Sequence, residues 1–239
     1  MTKPIPFKLD TSSEIPKFRA DTFWTKEPET IHWINRNLGG QSQVGLFIDV
    51  GANIGIYSLY AAAVNSSVPI FAVEPVITNF NELNKNIQMN QKNQQITGFD
   101  LALSSMTGFA DLINVDSRLG SSGAQIDTSS GAKSGSTQVV TGDQLLDTTI
   151  SKYDPNKKIM IKIDTDGNEL DVLNGFYKSF SAGKVSTVLV ETHPTNRDEI
   201  EDFFLSFKMK EDVSYLDVEG HSDIRRKEKG NKERTRVYQ

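Results

Sequence analysis

No cysteine occurs among the 239 residues. That absence removes disulfide frameworks, cysteine nucleophiles and thiolate zinc or iron–sulfur centres. Histidine is scarce as well, with only His32, His193 and His221, so any metal site would have to rely on carboxylates. No apolar run reaches the roughly 20 residues that a membrane-spanning helix needs. The N-terminal residues 1–7 lack the apolar stretch of a secretory leader. The expectation is a soluble cytoplasmic protein with no membrane span.

What is present is an ordinary globular composition, 37% hydrophobic and 24% charged with a net charge of −5. At roughly 150 residues per domain this suits one large α/β domain or two small ones. Charge is uneven: residues 224–239 sum to +5 and residues 1–223 to −10. The basic end could favour an anionic partner, or it is a solvated connection followed by a final strand. The acidic body argues against general nucleic-acid binding, which needs a broad basic footprint. Residues 117–136 contain 11 Ser or Gly in 20 positions, a composition that predicts a flexible loop, either a linker or a mobile segment beside a site.

Elsewhere short β runs alternate with helical patterns. Residues 27–38 form a helix with Pro28 in its first turn and Gly39 as its stop. Strands are expected at 44–50, 69–73, 95–103, 108–113, 137–141, 158–163 and 185–190. Residues 213–218 and 235–238 are expected to form a terminal antiparallel pair. Helices at 54–64, after Pro75, at 143–147, after Asp166 and near 197–206 lie between strands. Such alternation makes right-handed βαβ units and a mostly parallel, doubly wound sheet covered on both faces.

In a sheet of that kind the ligand lies at the carboxyl ends of the strands. The first such place is Phe47-Ile-Asp-Val-Gly-Ala-Asn-Ile-Gly55. Gly51 and Gly55 allow a sharp strand-to-helix turn and close backbone approach to a ligand, and Asp49 adds a carboxylate beside it. The Gly-x-Gly-x-x-Gly fingerprint is missing, which weighs against a nicotinamide or flavin dinucleotide, and so is a Gly-Lys-Ser/Thr phosphate loop. An acidic strand end suits a cationic or amine-bearing ligand such as S-adenosyl-L-methionine. The second place is Phe71-Ala-Val-Glu-Pro75, where Glu74 can accept hydrogen bonds from both hydroxyls of a ribose.

These segments, with Ile161-Lys-Ile-Asp-Thr-Asp-Gly-Asn-Glu-Leu-Asp-Val-Leu-Asn-Gly175 and the weaker 101–108 and 141–143, resemble the FkbM family of S-adenosylmethionine-dependent methyltransferases. The resemblance extends over about residues 27–193. It implies a seven-stranded class I methyltransferase sheet, Rossmann-like, with a terminal antiparallel hairpin. The methyltransferase domain would cover 41–239, with residues 1–40 as a helical segment packing on it. It also implies methyl transfer to a hydroxyl oxygen of a sugar, glycan or natural-product precursor. The chain departs from the family pattern at Asp166, where Glu is usual. By the resemblance, Asp49 would lie near the amino group of the cofactor, and Gly51, Asn53 and Gly55 would shape the pocket around its methionine part. Glu74, with Pro75, would hold the ribose, and Ala102 and Leu103 would lie near the adenine, unless they are ordinary strand packing.

At the reacting end, Asp164 and Asp166 follow one strand, and Glu191 and His193 follow the next. Alcohol methylation needs an in-line nucleophile and a base for the hydroxyl proton. His193 is the leading base, with Asp166 as its rival and Asp164 beside them; Asp166 could instead cap the following helix. Glu169 reads as structural. The carboxylates could also hold Mg²⁺ or Ca²⁺, although no dedicated ligand loop is present and no metal is expected. Trp24 and Trp33 flank residues 27–30, which either close over the cofactor or simply pack the N-terminal helix. The rival functions are a non-catalytic nucleoside-binding module and a methyltransferase for another small-molecule or nucleic-acid acceptor.

Overall fold

The computed structural model describes residues 5–40, 42–127, 137–217 and 234–239. Two helices, α1 (Glu14–Lys26) and α2 (Pro28–Leu38), precede β1 (Val44–Val50), α3 (Ile56–Val64), β2 (Ile70–Val73), α4 (Ile77–Met89) and β3 (Ile96–Phe99). Four short strands follow: β4 (Ala102–Leu103), β5 (Gly108–Ile113), β6 (Gln125–Asp127) and β7 (Thr137–Val140). The rest is α5 (Gly142–Thr148), β8 (Lys158–Ile163), α6 (Glu169–Gly175), α7 (Tyr177–Ser181), β9 (Val185–Thr192), α8 (Arg197–Ser206) and β10 (Arg234–Tyr238).

The main sheet has six strands in the order β10-β9-β8-β1-β2-β3, parallel except for β10. All seven residues of β1 are buried, as expected for a strand covered on both faces. Leu46, Ile48 and Val50 pack with helices α5 to α8 on one face, while Val44 and Phe47 pack with α2, α3 and α4 on the other. Trp33 belongs to that second core, fully buried, and its indole N–H donates to Thr187 Oγ1 at 2.9 Å. The packing role is therefore the one Trp33 fills. Strand order reverses between β1 and β8, so the ligand crevice is expected at their carboxyl ends.

The expected single seven-stranded sheet is corrected to six strands plus a separate four-stranded sheet, β4-β7-β5-β6. The predicted strand over 95–103 splits because β2 ends at Val73, paired to Phe99, and Pro75 has no N–H to extend the ladder. Ala102 and Leu103 pair instead with Val139 and Val140. The terminal pairing is shifted: β10 runs antiparallel to β9 on one side and bridges Glu211 through Tyr238 on the other, while Val213–Asp217, expected to pair with it, is a 3-10 turn. Asp212 Oδ1 accepts from the Ser214 N–H and hydroxyl, a local turn that competes with strand pairing. Within the Ser/Gly-rich stretch, Gln125–Asp127 forms a strand against β5; residues 128–136 lie outside the described residues, as do Val218, His221 and the basic residues before Arg234.

Candidate functional site

The resembling motifs divide into scaffold and site. Thr141-Gly-Asp143 is scaffold: Thr141 Oγ1 accepts from Gln144 N–H to cap α5, and Asp143 accepts from the N–H groups of Lys178 and Ser179. A Cβ at Gly142 would stand 2.3 Å from the Phe176 ring, so this glycine admits the ring between helices.

The site is a cavity of about 320 Å³ over the carboxyl ends of β1, β2 and β8. Gly51, Asn53, Glu74, Pro75, Ala102, Leu103, Asp164 and Asp166 all line it. Glu74 is buried, 4% exposed. Its Oε2 accepts from Asn53 N–H at 2.8 Å and its Oε1 from Val76 N–H at 2.9 Å. The Asn79 side chain approaches it as well, and a carboxylate has about four acceptor positions, so capacity remains for a ligand facing it. Burial pushes the Glu74 carboxyl up to about 7, against the pull of those two N–H groups.

Three predicted site residues lie elsewhere. Gly55 starts α3 with its backbone packed on Leu83, where an added Cβ would meet Leu83 Cδ1 at 2.4 Å. Asp49 stands behind the cavity wall. It is the register partner of Lys162 on β8, accepts from the Ser58 hydroxyl at 2.7 Å and keeps Oδ1 3.5 Å from Lys162 Nζ. The side chain that reaches the cavity is Lys162, which also donates to Asp164 Oδ2 at 3.1 Å. Burial works against the charges of this pair, but their mutual attraction prevails: Lys162 is raised above the usual lysine range and Asp164 held well below the usual carboxylate range. A lysine flanked by Ile161 and Ile163 in a buried run was the available sequence signal for it.

His193, the third, is exposed and lines a neighbouring cavity of about 440 Å³ with Gln125, Glu169, Thr195 and Asn196. Its Nδ1 is 2.8 Å from Thr195 Oγ1. The two cavities share Gly123, Asp166 and Glu191. Asp166 does not cap α6, whose N-cap position is Asn168. It adopts a left-handed φ of 52° and its Oδ2 accepts from Gly123 N–H at 2.8 Å, tying the Ser/Gly-rich segment to the rim. Glu169 binds its own loop, accepting from Gly167 N–H at 2.7 Å and from Asn196 Nδ2 at 2.8 Å, and burial raises its pKa.

The cover of the first cavity comes from the two segments the sequence left open, the Ser/Gly-rich stretch and the residues around Glu27, but the contacts that hold it were not foreseen. Asn53 and Asn79 side chains both donate to the Ser121 carbonyl, at 2.7 and 3.2 Å, and Arg19 of α1 donates to Gly120 O at 2.9 Å. Ser121 to Ala124, together with Arg19, Lys26 and Glu27, therefore wall the ligand space. These contacts join residues 42 to 101 positions apart in the chain, so no local pattern announces them. Among the described residues, no group of three or more Asp, Glu or His is arranged to hold a metal ion, and no helix is long and apolar enough to cross a membrane. His32 packs edge-on against Tyr215.

The Methyltransferase FkbM domain matches residues 49–231, well over half of the chain. The chain belongs to the FkbM methyltransferase family. As a methyltransferase of this family it takes S-adenosyl-L-methionine as cofactor, and the residues present fit that group: a buried carboxylate in Glu74 beside a glycine turn, with apolar Ala102 and Leu103 opposite. A methyltransferase FkbM from Methylobacillus flagellatus KT is similar over 94% of this chain and 52% of that chain, about half its length, at 15% identity and TM-score 0.56. The METTL16 MTase domain is similar over 97% of this chain and 72% of that one, at 14% identity and TM-score 0.50. Both are likenesses of fold. A comparison with curated proteins finds no match.

The Glu74 geometry makes a pH prediction. A ribose hydrogen-bonds best to the ionised carboxylate, whereas free Glu74 is half protonated near about pH 7. Cofactor binding by this FkbM methyltransferase should therefore release a proton below that pH and weaken up to about tenfold between about pH 8 and about pH 6. Calorimetry in buffers of different ionisation enthalpy reads the proton directly. Glu74→Ala should abolish the release and cost about 1.5–3 kcal/mol of affinity; unchanged affinity would remove the ribose assignment.

Proposed function

We propose that this chain transfers a methyl group from S-adenosyl-L-methionine to a hydroxyl oxygen of a sugar, a glycan or a natural-product precursor. The observation that carries this reading is the wall shared by the two cavities, Gly123, Asp166 and Glu191. It sets a ligand space containing Glu74 directly beside a second space containing His193. When bound, the cofactor supplies an electrophilic methyl group on a sulfonium.

The chain's own residues then have three tasks. Glu74, Ala102 and Leu103 hold the nucleoside part, while Gly51, Asn53 and Pro75 shape the turn around it and Asp49 acts from behind through Lys162. Gln125, Thr195 and Asn196 offer hydrogen bonds to a polyhydroxylated acceptor, in a cavity whose described lining holds no Phe, Tyr or Trp. His193, whose ring is held at Nδ1 by the Thr195 hydroxyl at 2.8 Å and the Thr195 N–H at 3.4 Å, takes the hydroxyl proton. Asp166 is the alternative base, and Asp164 keeps the rim negative. Carboxylates at Asp166, Glu169 and Glu191 line the acceptor space, which disfavours phosphate-rich acceptors such as nucleic acid. The reading includes action in the cytoplasm on a small-molecule or glycan substrate, with residues 1–40 packed on a methyltransferase domain over 41–239.

The test is incubation with methyl-labelled cofactor and a panel of neutral sugars, oligosaccharides, polyketide-like alcohols and an RNA oligonucleotide. Mass spectrometry should find one added CH₂ on a hydroxyl of a sugar or alcohol. Label found only on RNA, or only on nitrogen or carbon, overturns the O-methyl assignment.

A further inference from the structure

The FkbM match begins at residue 49, yet Lys26 and Glu27 line the cofactor cavity from the N-terminal side of it. Glu27 occupies the break between α1 and α2, ahead of Pro28. Its side chain is only 8% exposed. The Tyr57 hydroxyl donates to its Oε2 at 2.8 Å, and Lys26 Nζ stands 2.9 Å from its Oε1. Burial works to raise the Glu27 pKa, but the ammoniums of Lys26 and Lys162 outweigh it and keep the carboxylate ionised. Each carboxylate oxygen can accept a second hydrogen bond.

Lys162 lies on the same flank of the cavity, its ammonium 5.3 Å from the centre of the Tyr57 ring. This flank thus offers both signs of charge, whereas the opposite flank offers Glu74 with apolar Ala102 and Leu103. Because β1 lies between β2 and β8, the two flanks are separated by two strand spacings, roughly 10 Å. An adenosine carrying a zwitterionic amino-acid arm has that length and that order of chemistry.

We propose that Glu27 binds the α-ammonium of the cofactor's amino-acid arm, with Tyr57 as the positioning residue that aims its carboxylate. This rests on the S-adenosylmethionine reading of the cavity. It makes the α1–α2 junction, outside the family match, part of the cofactor site.

Calorimetry on the full chain with S-adenosylhomocysteine and with 5′-methylthioadenosine tests this, because the second ligand keeps the adenosine and lacks the amino-acid arm. Glu27→Gln preserves shape and removes the charge. It should lower affinity for S-adenosylhomocysteine about 10- to 100-fold and leave 5′-methylthioadenosine within about twofold. Tyr57→Phe should lower S-adenosylhomocysteine affinity about 3- to 10-fold with the same selectivity, and it decides the matter by that ratio if the Gln variant does not fold. Equal losses for both ligands, or no loss for S-adenosylhomocysteine, overturn the assignment and leave the cofactor reading standing. A wild-type chain that binds neither nucleoside overturns both.

Discussion

Replacing His193 by Ala should lower kcat about 10²–10⁴-fold while leaving cofactor affinity within about twofold. The selectivity follows from placement: His193 lines the second cavity, across the shared Gly123, Asp166 and Glu191 wall from Glu74. A base acts only as the hydroxyl proton departs, so its loss appears in the chemical step. The acid weakening of cofactor binding, which belongs to Glu74, should persist in His193→Ala. Asp166→Asn should be milder. An Asn oxygen can still accept from Gly123 N–H, and Asn tolerates the left-handed φ of 52° found there. The reverse ranking would make Asp166 the base and His193 a positioning residue.

Gly51→Ala should destabilise the fold by about 3–5 kcal/mol and abolish measurable cofactor binding. Two costs coincide at this position. Its φ is +76°, a region an L side chain rarely adopts, and an added Cβ would stand 1.9 Å from the Asp164 carbonyl oxygen. That oxygen belongs to the backbone at the end of β8, so relief requires moving β1 away from β8 at the strand order's turning point. Gly183 separates the two costs: its φ is +62° with nothing within 4 Å of an added Cβ. Gly183→Ala should therefore cost only about 1 kcal/mol. Chemical denaturation of both variants measures the contrast, and equal losses would remove the close-approach argument.

Much of this architecture is written in local pattern. The apolar runs of β1, β2, β8 and β9, the glycine turn after Val50 and the strand-end Glu74 are set by periodicities of two and 3.6 and by residues that punctuate them. The doubly wound class follows from their alternation, because parallel neighbours need covering crossovers. So does the level of the site, since each turn comes at the carboxyl end of its strand.

Other features depend on partners distant in the chain. Asp49 and Lys162 are register partners, and both are buried; only the longer side chain reaches the cavity, and nothing in either segment alone says which. Whether residues 102–103 continue β3 or join β7 turned on where β2 stops. Ser121 became part of a wall because Asn53 and Asn79 hold its carbonyl, and Glu27 because Tyr57 reaches it across 30 positions. The strand–helix alternation and the residue types waiting at the strand ends rest on near-neighbour geometry and are legible in the chain alone. Which of those residues share one cavity depends on strand order, register and side-chain reach, and emerges only on folding.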